Sequence, residues 1–254
     1  MFTVIPLPAL QDNYIWLIRD DRHAVVVDPG DAAPVLDYLA REQLQLTAIL
    51  NTHHHPDHVG GNTGLLSRFK VPVYGPAKER IPTMTHPLAE GDSVELPAFS
   101  LRLSVLDIGG HTAGHIGYYG ANSLFCGDTL FGCGCGRLFE GTPQQMLASL
   151  QKLANLPDAT NVFCGHEYTL ANIRFAKSVD PDNADLLARE KKDTKARAAN
   201  LPTLPSTIKL EKDTNPFLRC STPEVVKAAN HFTGRTLSDA VDVFAAIRAW
   251  KNQF

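Results

Sequence analysis

The chain has 254 residues, which is enough for one large α/β domain with a small addition. Hydrophobic residues make up 44% of it and charged residues 20%, as in ordinary globular proteins. A net charge of -3 gives no electrostatic basis for binding nucleic acid or a membrane surface. We expect no secretory signal, because residues 1–10 lack a basic region followed by a long apolar stretch, and no apolar run approaches the roughly 20 residues that span a bilayer. With five cysteines and no Cys-x-x-Cys pair, we expect free thiols in a reducing cytoplasm. We also expect a monomer.

The first part of the chain is predicted to form short strands separated by turns. The predicted strands span residues 3–7, 15–18, 24–28, 46–50, 91–96, 101–108, 123–126 and 161–164. A helix is predicted over residues 34–43, because Pro34 suits a first helical turn and Val35, Leu36 and Leu39 fall on one face. The pattern is typical of a layered α/β protein.

From about Asn172 onward the strands are predicted to stop and helices to take over. Residues 184–200 are charged and helix-prone, which favours a solvated helix face. Thr222 is predicted to cap one helix and Ser238 to cap a last helix over residues 239–251. We therefore predict an α/β domain over residues 1–171 and a helical C-terminal domain over residues 172–254.

The segment 52–58 carries side chains that bind metals at His-x-His-x-Asp-His spacing, directly after a predicted strand. These side chains are His53, His55, Asp57 and His58. Imidazole nitrogen and carboxylate oxygen suit Zn²⁺, Fe²⁺ and Mn²⁺. Four potential ligands in six residues exceed the needs of one catalytic ion that keeps an open position. The motif therefore predicts two adjacent divalent metal ions and a hydrolase.

The same pattern, an apolar strand followed by Gly or Thr and then His or Asp, recurs at His111, Asp128 and His166. Loops that follow strand ends converge in layered α/β proteins, so we expect these residues to join the motif. Two sites that share a bridging Asp128 are predicted: His53, His55, His111 and Asp128, then Asp57, His58, His166 and Asp128. We expect Asp57 and Asp128 to be catalytic, and His54 and His115 to have supporting or structural roles.

The motif and the turns around His111, Asp128 and His166 resemble the metallo-β-lactamase superfamily, whose fold is an αββα sandwich with metals at one edge of its sheets. Within it the chain resembles the glyoxalase II family over essentially its whole length. The resemblance implies hydrolysis of the thioester S-D-lactoylglutathione to D-lactate and glutathione, the second step of methylglyoxal detoxification. A metal-bridging hydroxide would attack the thioester. Zinc is the expected metal, with iron or manganese as alternatives.

The resemblance also implies glutathione contacts from Arg137, Phe139, Tyr168, Arg248 and Lys251. Arg248 and Lys251 are three residues apart on a predicted helix, so that they share a face and could hold a carboxylate. A basic last turn that stabilises the helix dipole is the structural alternative. Phe139 has no hydroxyl, which leaves stacking or packing at that position.

Two alternatives to the hydrolase stay open from the sequence. One is a glutathione persulfide dioxygenase on the same fold, whose chemistry needs one redox-active iron and O₂. The other is a non-catalytic module that binds metals. The full second ligand set and the long helical tail favour the hydrolase over the dioxygenase.

Overall fold

The computed structural model describes residues 2–254, so Met1, the first residue of the predicted α/β domain, lies outside the described part. The chain divides into two compact units. The first unit contains the chain up to Asp107 together with Ala113–Gly127 and Phe163–His166. The second contains Ile108–Thr112, Asp128–Val162 and Glu167–Phe254. Both units are therefore assembled from separate stretches of sequence.

The first sheet belongs wholly to the first unit and has the strand order β1-β2-β3-β4-β5-β6. Its strands are β1 Thr3–Ala9, β2 Asn13–Arg19, β3 His23–Val27, β4 Gln45–Leu50, β5 Val73–Pro76 and β6 His86–Leu88. β1, β2 and β3 are antiparallel, whereas β3 to β6 run parallel. Burial along almost all of β2 explains its unbroken apolar run.

A second six-stranded sheet has the order β14-β13-β10-β9-β8-β7. Its strands are β7 Ser93–Leu96, β8 Leu101–Asp107, β9 Ile116–Gly120, β10 Ser123–Gly127, β13 Asn161–Cys164 and β14 Ser206–Thr207. β8 alternates buried and exposed residues, as expected when one face of a sheet meets a core. β14 corrects the prediction that strands stop near Asn172, since this two-residue strand pairs with β13.

Within the first unit, a helix and residues of both sheets form successive layers. Helix α1, Ala33–Glu42, packs on the first sheet through Val35 and Leu39, which are both buried. On the opposite face, the ring of Trp16 lies edge-on to Phe163 of β13 at 4.9 Å, and Trp16 Nε1 donates to the carbonyl of Cys164 at 2.9 Å. The ring fills the space between the layers while its polar nitrogen is satisfied.

Most of the second unit is helical. By contrast, the first unit adds two short helices to α1, namely α2 Pro56–Val59 and α3 Asn62–Leu66. The helices of the second unit are α4 Pro143–Ala154, α5 Thr169–Val179, α6 Ala184–Ala198, α7 Ile208–Thr214, α8 Pro223–Thr233 and α9 Ala240–Gln253. A two-stranded hairpin, β11 Leu130–Phe131 and β12 Gly134–Cys135, accompanies them. Among the helices described, none is long and apolar enough to cross a membrane.

One predicted helix cap lies at another residue, and a second is at the predicted residue but lacks the expected hydrogen bond. Asp239 rather than Ser238 caps α9, where its side chain accepts a hydrogen bond from the backbone N–H of Asp242 at 2.8 Å. Thr222 is the N-cap residue of α8, as predicted, but its hydroxyl donates to the carbonyl of Arg219 at 3.0 Å instead of accepting from the helix. An aspartate is at least as good a cap as a serine, and its charge also suits the helix dipole.

Candidate metal centre

Asp28 organises the start of the metal motif. β3 and β4 are parallel with Val27 opposite Leu50, so that Asp28 and Thr52 emerge from neighbouring strand ends. The carboxylate of Asp28 accepts from the backbone N–H and the hydroxyl of Thr52, each at 2.7 Å, and lies 3.1 Å from His58 Nδ1. Sequence reasoning took Asp28 only as the end of the predicted strand over residues 24–28. Its place after an apolar strand, the pattern that marked His53, was a usable signal.

Asp57, His58 and His166 present three donor atoms to one point in the first unit. His58 Nε2 lies 3.4 Å from His166 Nε2, and Asp57 Oδ2 lies 3.5 Å and 3.4 Å from these two nitrogens. Donors bound tetrahedrally to one ion at the usual 2.0–2.2 Å would be about 3.3–3.6 Å apart. The chemistry and the spacing of this cluster therefore fit a divalent metal ion.

His53 and His55 form the neighbouring part of the motif. His53 Nε2 lies 3.0 Å from His55 Nδ1, and His53 Nδ1 lies 3.1 Å from the hydroxyl of Thr52. The ring of His115, which is fully buried, stacks on that of His53 with centroids 4.6 Å apart. A Cβ on Gly127 would approach His115 Nε2 to 2.7 Å, so the glycine makes room for this stack.

His111 and Asp128 lie together in the second unit. His111 Nε2 is 3.4 Å from Asp128 Oδ2, and both residues are buried. His111 Nδ1 lies 2.8 Å from the carbonyl oxygen of Arg137. A Cβ on Gly136 would come within 2.0 Å of the carbonyl of Asp128 and 3.0 Å of His111 Nδ1. The approach of this loop to both residues requires glycine at that position.

Three of the predicted histidine ligands share one arrangement of the imidazole ring. His58, His111 and His166 each have Nδ1 at hydrogen-bond distance from an oxygen, and the distances are 3.1 Å, 2.8 Å and 2.7 Å. A carbonyl or carboxylate acceptor places the proton on Nδ1 and leaves the lone pair of Nε2 for a metal.

His54 is turned to a different partner from its neighbours in the motif. Its Nδ1 lies 2.8 Å from a carboxylate oxygen of Glu79, a buried residue. The other carboxylate oxygen of Glu79 accepts from the backbone N–H of Gly114 at 3.1 Å. His54 thus connects the motif to the loop that carries His115, which is a supporting role.

Lys251 and Arg248, the predicted glutathione contacts of α9, lie beside the β11–β12 hairpin of the second unit. Arg248 is buried, and its Nη1 donates to the carbonyl of Cys135 at 2.9 Å. Lys251 Nζ donates to Oδ1 of Asn172. Burial, together with the cations of Arg248 and Arg137, lowers the pKa of Lys251 to about 8. Three cations therefore act on one region of this unit.

The other two predicted contacts are aromatic. Phe139 is 63% exposed, its ring lies 5.2 Å from that of His111, and its backbone N–H donates to the carbonyl of His111 at 3.2 Å. Tyr168 is partly buried, with its ring 5.2 Å from Phe131. Phe139 therefore offers a large apolar surface next to a predicted metal ligand.

A buried ion pair that sequence reasoning missed holds the hairpin in place. Arg189 of α6 and Glu211 of α7 are 2.8 Å apart and almost inaccessible. Glu211 also accepts from the backbone N–H of Cys133 at 2.8 Å. The predicted solvated face of residues 184–200 is therefore wrong at Arg189 and at Asp193, which is buried beside it. No local signal separates Arg189 from the exposed cations of this helix.

The hairpin turn itself is constrained. Cys133 has a φ of 57°, in the left-handed region that favours glycine. Burial raises the pKa of its thiol to about 12, so the thiol is protonated and unreactive at neutral pH. Asn172 Nδ2 donates to the carbonyl of Gly132 and Asn215 Nδ2 to that of Gly134, both at 2.9 Å. These contacts give Cys133 a structural rather than a redox role.

Comparison with known proteins assigns the two sequence segments. Residues 10–166 match the metallo-β-lactamase superfamily, and residues 167–254 match the hydroxyacylglutathione hydrolase C-terminus. The hydroxyacylglutathione hydrolase of Nitrosomonas europaea is 58% identical over 254 residues, which cover 100% of this chain and 97% of that protein.

Solved structures share the fold. ETHE1 from Myxococcus xanthus has a TM-score of 0.65 at 25% identity and covers 99% of this chain and 98% of its own. TTHA1623 in a di-iron-bound form has a TM-score of 0.60 at 27% identity and covers 85% of this chain and 100% of its own. The predicted fold class is confirmed. The chain belongs to the metallo-β-lactamase superfamily and, within it, to the hydroxyacylglutathione hydrolase family.

Proposed function

We infer that this chain is a hydroxyacylglutathione hydrolase, which converts S-D-lactoylglutathione and water to D-lactate and glutathione. The observation that carries this conclusion is the identity of 58% along the whole chain to a protein of that name. The cluster of Asp57, His58 and His166 supplies donors of the chemistry that a metallohydrolase needs. A free-standing metal-binding module would not account for cations gathered beside the β11–β12 hairpin.

We propose that two divalent metal ions are bound, with Asp128 as a shared ligand. The proposed sets are His53, His55, His111 and Asp128 for one ion, and Asp57, His58, His166 and Asp128 for the other. Zinc is the proposed metal, because nitrogen and oxygen donors at these spacings suit it. The di-iron form of TTHA1623 makes iron the principal alternative, and manganese is the third. Bound metals would lower the pKa of a water molecule and polarise the thioester carbonyl.

The residues around the ligands orient the reaction. We propose that Asp57 orients the attacking water. Its Oδ2 faces His58 and His166 and accepts a hydrogen bond from Asn13 Nδ2 at 3.1 Å. The leaving group is a thiolate, and a thiol with a pKa of roughly 8.5 needs no strong general acid. The buried position of His58 and His166 keeps bulk water from competing for their lone pairs.

The cations of the second unit are proposed to hold glutathione. Arg137 is exposed and Lys251 is half-buried, so each could reach a carboxylate of the substrate. Arg248 is proposed to contribute its charge to the same patch while its guanidinium fixes the Cys135 carbonyl. In the proposed glutathione site, Tyr168 would supply a hydroxyl contact and Phe139 an apolar contact. These residues supply position rather than chemistry.

The test is an assay of the purified protein with S-D-lactoylglutathione, in which loss of the thioester absorbance is followed before and after chelation. We expect hydrolysis that disappears with the metal and returns when zinc is added. A fully metallated sample without hydrolysis would contradict the proposal. Oxygen uptake with glutathione persulfide in the same preparation would instead identify a dioxygenase.

Location and assembly are further parts of the proposal. The structure holds all five cysteines as free, buried thiols, which suits a reducing compartment such as the cytoplasm. We propose a monomer that acts on a small-molecule substrate. Sedimentation of the purified protein at micromolar concentration would test the monomeric state.

A further inference from the structure

The turn between β1 and β2 reaches the metal ligands of the first unit. Tyr14 N–H donates to the carbonyl of Gly165 at 2.8 Å, and Asn13 forms an isolated bridge with His166. Before them, Leu10 adopts a left-handed φ of 52° and leaves 59% of its side chain exposed. The backbone of the turn is thus aligned with the segment that carries His166.

Asp12 contacts the outer nitrogen of His166. Asp12 Oδ1 lies 2.7 Å from His166 Nδ1, while His166 Nε2 faces His58 Nε2 and Asp57 Oδ2, each at 3.4 Å. A carboxylate on Nδ1 fixes the proton there, orients the ring and makes Nε2 a stronger donor to a metal. Asp12 is therefore placed to orient the ring of His166 and to raise the basicity of its Nε2.

Asn13, the next residue, holds a second ligand of the same cluster. Its Nδ2 donates to Asp57 Oδ2 at 3.1 Å and to the carbonyl of Asp57 at 3.2 Å. Only 7% of Asn13 is exposed, so water does not easily replace these bonds. Two consecutive residues, the last of the turn and the first of β2, thus contact two of the three residues in the Asp57–His58–His166 cluster.

We propose that Asp12 and Asn13 are positioning residues that set the metal affinity of the Asp57–His58–His166 site. They affect the ion bound there more than the ion proposed at His53, His55 and His111. The inference rests on the proposed ligand set. His58 Nδ1 instead meets Asp28, which is buried, and His111 Nδ1 meets a backbone carbonyl. The side chain of Asp12 is 34% exposed, so it can be changed with less damage to the core.

The test compares Asp12→Ala and Asp12→Asn with the wild type by titrating metal-free protein with zinc against a competing chelator. Loss of such an outer partner lowers metal affinity roughly 10–100-fold. We expect Asp12→Ala to show that loss for one ion and little change for the other. Asp12→Asn retains an acceptor without the charge, and its loss should be smaller. Asn13→Ala should weaken the same ion through Asp57.

Asp20 offers a matched control in the same unit. Its Oδ2 lies 3.2 Å from His23 Nδ1, the same kind of pair in a turn with no predicted metal ligand. Asp20→Asn should leave both zinc affinities unchanged, even if it lowers the melting temperature. Equal losses for both ions in Asp12→Ala, or none, would overturn the inference.

A double-mutant cycle distinguishes positioning of His166 from a general effect. If Asp12 acts through His166, Asp12→Ala should cost almost nothing further in a His166→Ala background. Additive losses of zinc affinity would contradict that route. If Asp12→Ala does not fold, as judged by circular dichroism, the Asp12→Asn and His166→Ala pair carries the same cycle. Zinc titration needs no turnover, so the result stands apart from the thioester assay.

Discussion

The two regions that carry the candidate functional residues are built in different ways. In the first unit, Asp57 and His58 come from one contiguous motif, and His58 lies beside Asp28 at a neighbouring strand end. In the second unit, the hairpin around Cys133 is held by Glu211 and Arg248, 78 and 113 positions away from their partners in sequence. The comparison teaches that a local motif can supply two of the three residues of the Asp57–His58–His166 cluster, whereas the proposed substrate-binding surface depends on long-range contacts.

The largest loss of catalytic activity is expected from a substitution in the first unit. His58→Ala should remove one donor of the Asp57–His58–His166 cluster and release its ion. Because outer partners alone are worth roughly 10–100-fold in metal affinity or activity, kcat should fall by more than about 100-fold. Metal analysis and turnover of the same sample check this. Normal kcat with one ion missing would show that this cluster is not catalytic.

The next largest effect is expected from Glu211. A substitution there tests whether the contacts that hold the hairpin around Cys133 also support substrate binding. Glu211→Gln should leave Arg189 without its buried partner, at a cost of roughly 3–5 kcal/mol in the free energy of unfolding. As the hairpin loosens, KM should rise about 10-fold, equivalent to one 1.4 kcal/mol step, while zinc content stays constant. Chemical denaturation and steady-state kinetics measure the two quantities.

Asp213→Asn is the matched control on the same helix. Its ion pair with Lys209 is exposed, so it should change stability by no more than about 1 kcal/mol and leave KM unaltered. If Glu211→Gln lowers stability without raising KM, the network would be structural only.

A smaller effect is expected from Lys251, and it should depend on pH. With a pKa of about 8, the side chain is cationic below that pH and becomes neutral as the pH rises through it. KM for the glutathione thioester should therefore increase from pH 7 to 9, with kcat less affected. The groups that face it are Arg248, Arg137, Cys133 and Cys135.

Two substitutions separate this charge from other titrations. Lys251→Ala should have a raised KM that no longer varies through pH 8. Lys251→Arg should retain a low KM across the range, since guanidinium stays charged. An unchanged KM in Lys251→Ala, together with one in Arg248→Ala, would mean that the tail does not bind glutathione.

The smallest effect is expected at Phe139. The side chain is 63% exposed, so Phe139→Ala should not change the free energy of unfolding by more than about 0.5 kcal/mol. A change in KM of about twofold, with zinc content intact, would fit a contact with bound substrate. A tenfold or greater fall in metal content would instead show that the ring supports His111.

The fold and the ligand motif were open to prediction because their signals are local. Alternating and continuous apolar runs predicted most strands, and the spacing of residues 52–58 predicted a metal site before any distance was known. Asp12, Asn13 and Glu211 gave no such signal. The sequence around an isolated polar residue does not distinguish a turn, an exposed surface and a buried network. Burial and partner identity are properties of the folded chain, so these roles need coordinates.

The hairpin around Cys133 has a consequence for the modularity of this protein. It lies in the segment that matches the metallo-β-lactamase superfamily, yet its carbonyls at Gly132, Gly134 and Cys135 are satisfied by side chains from beyond residue 166. A chain cut at that boundary would leave these groups without their partners, at a cost for each that remained buried. The hairpin therefore depends on the C-terminal segment for its conformation. Exchanging that segment between relatives should require matched changes in the hairpin.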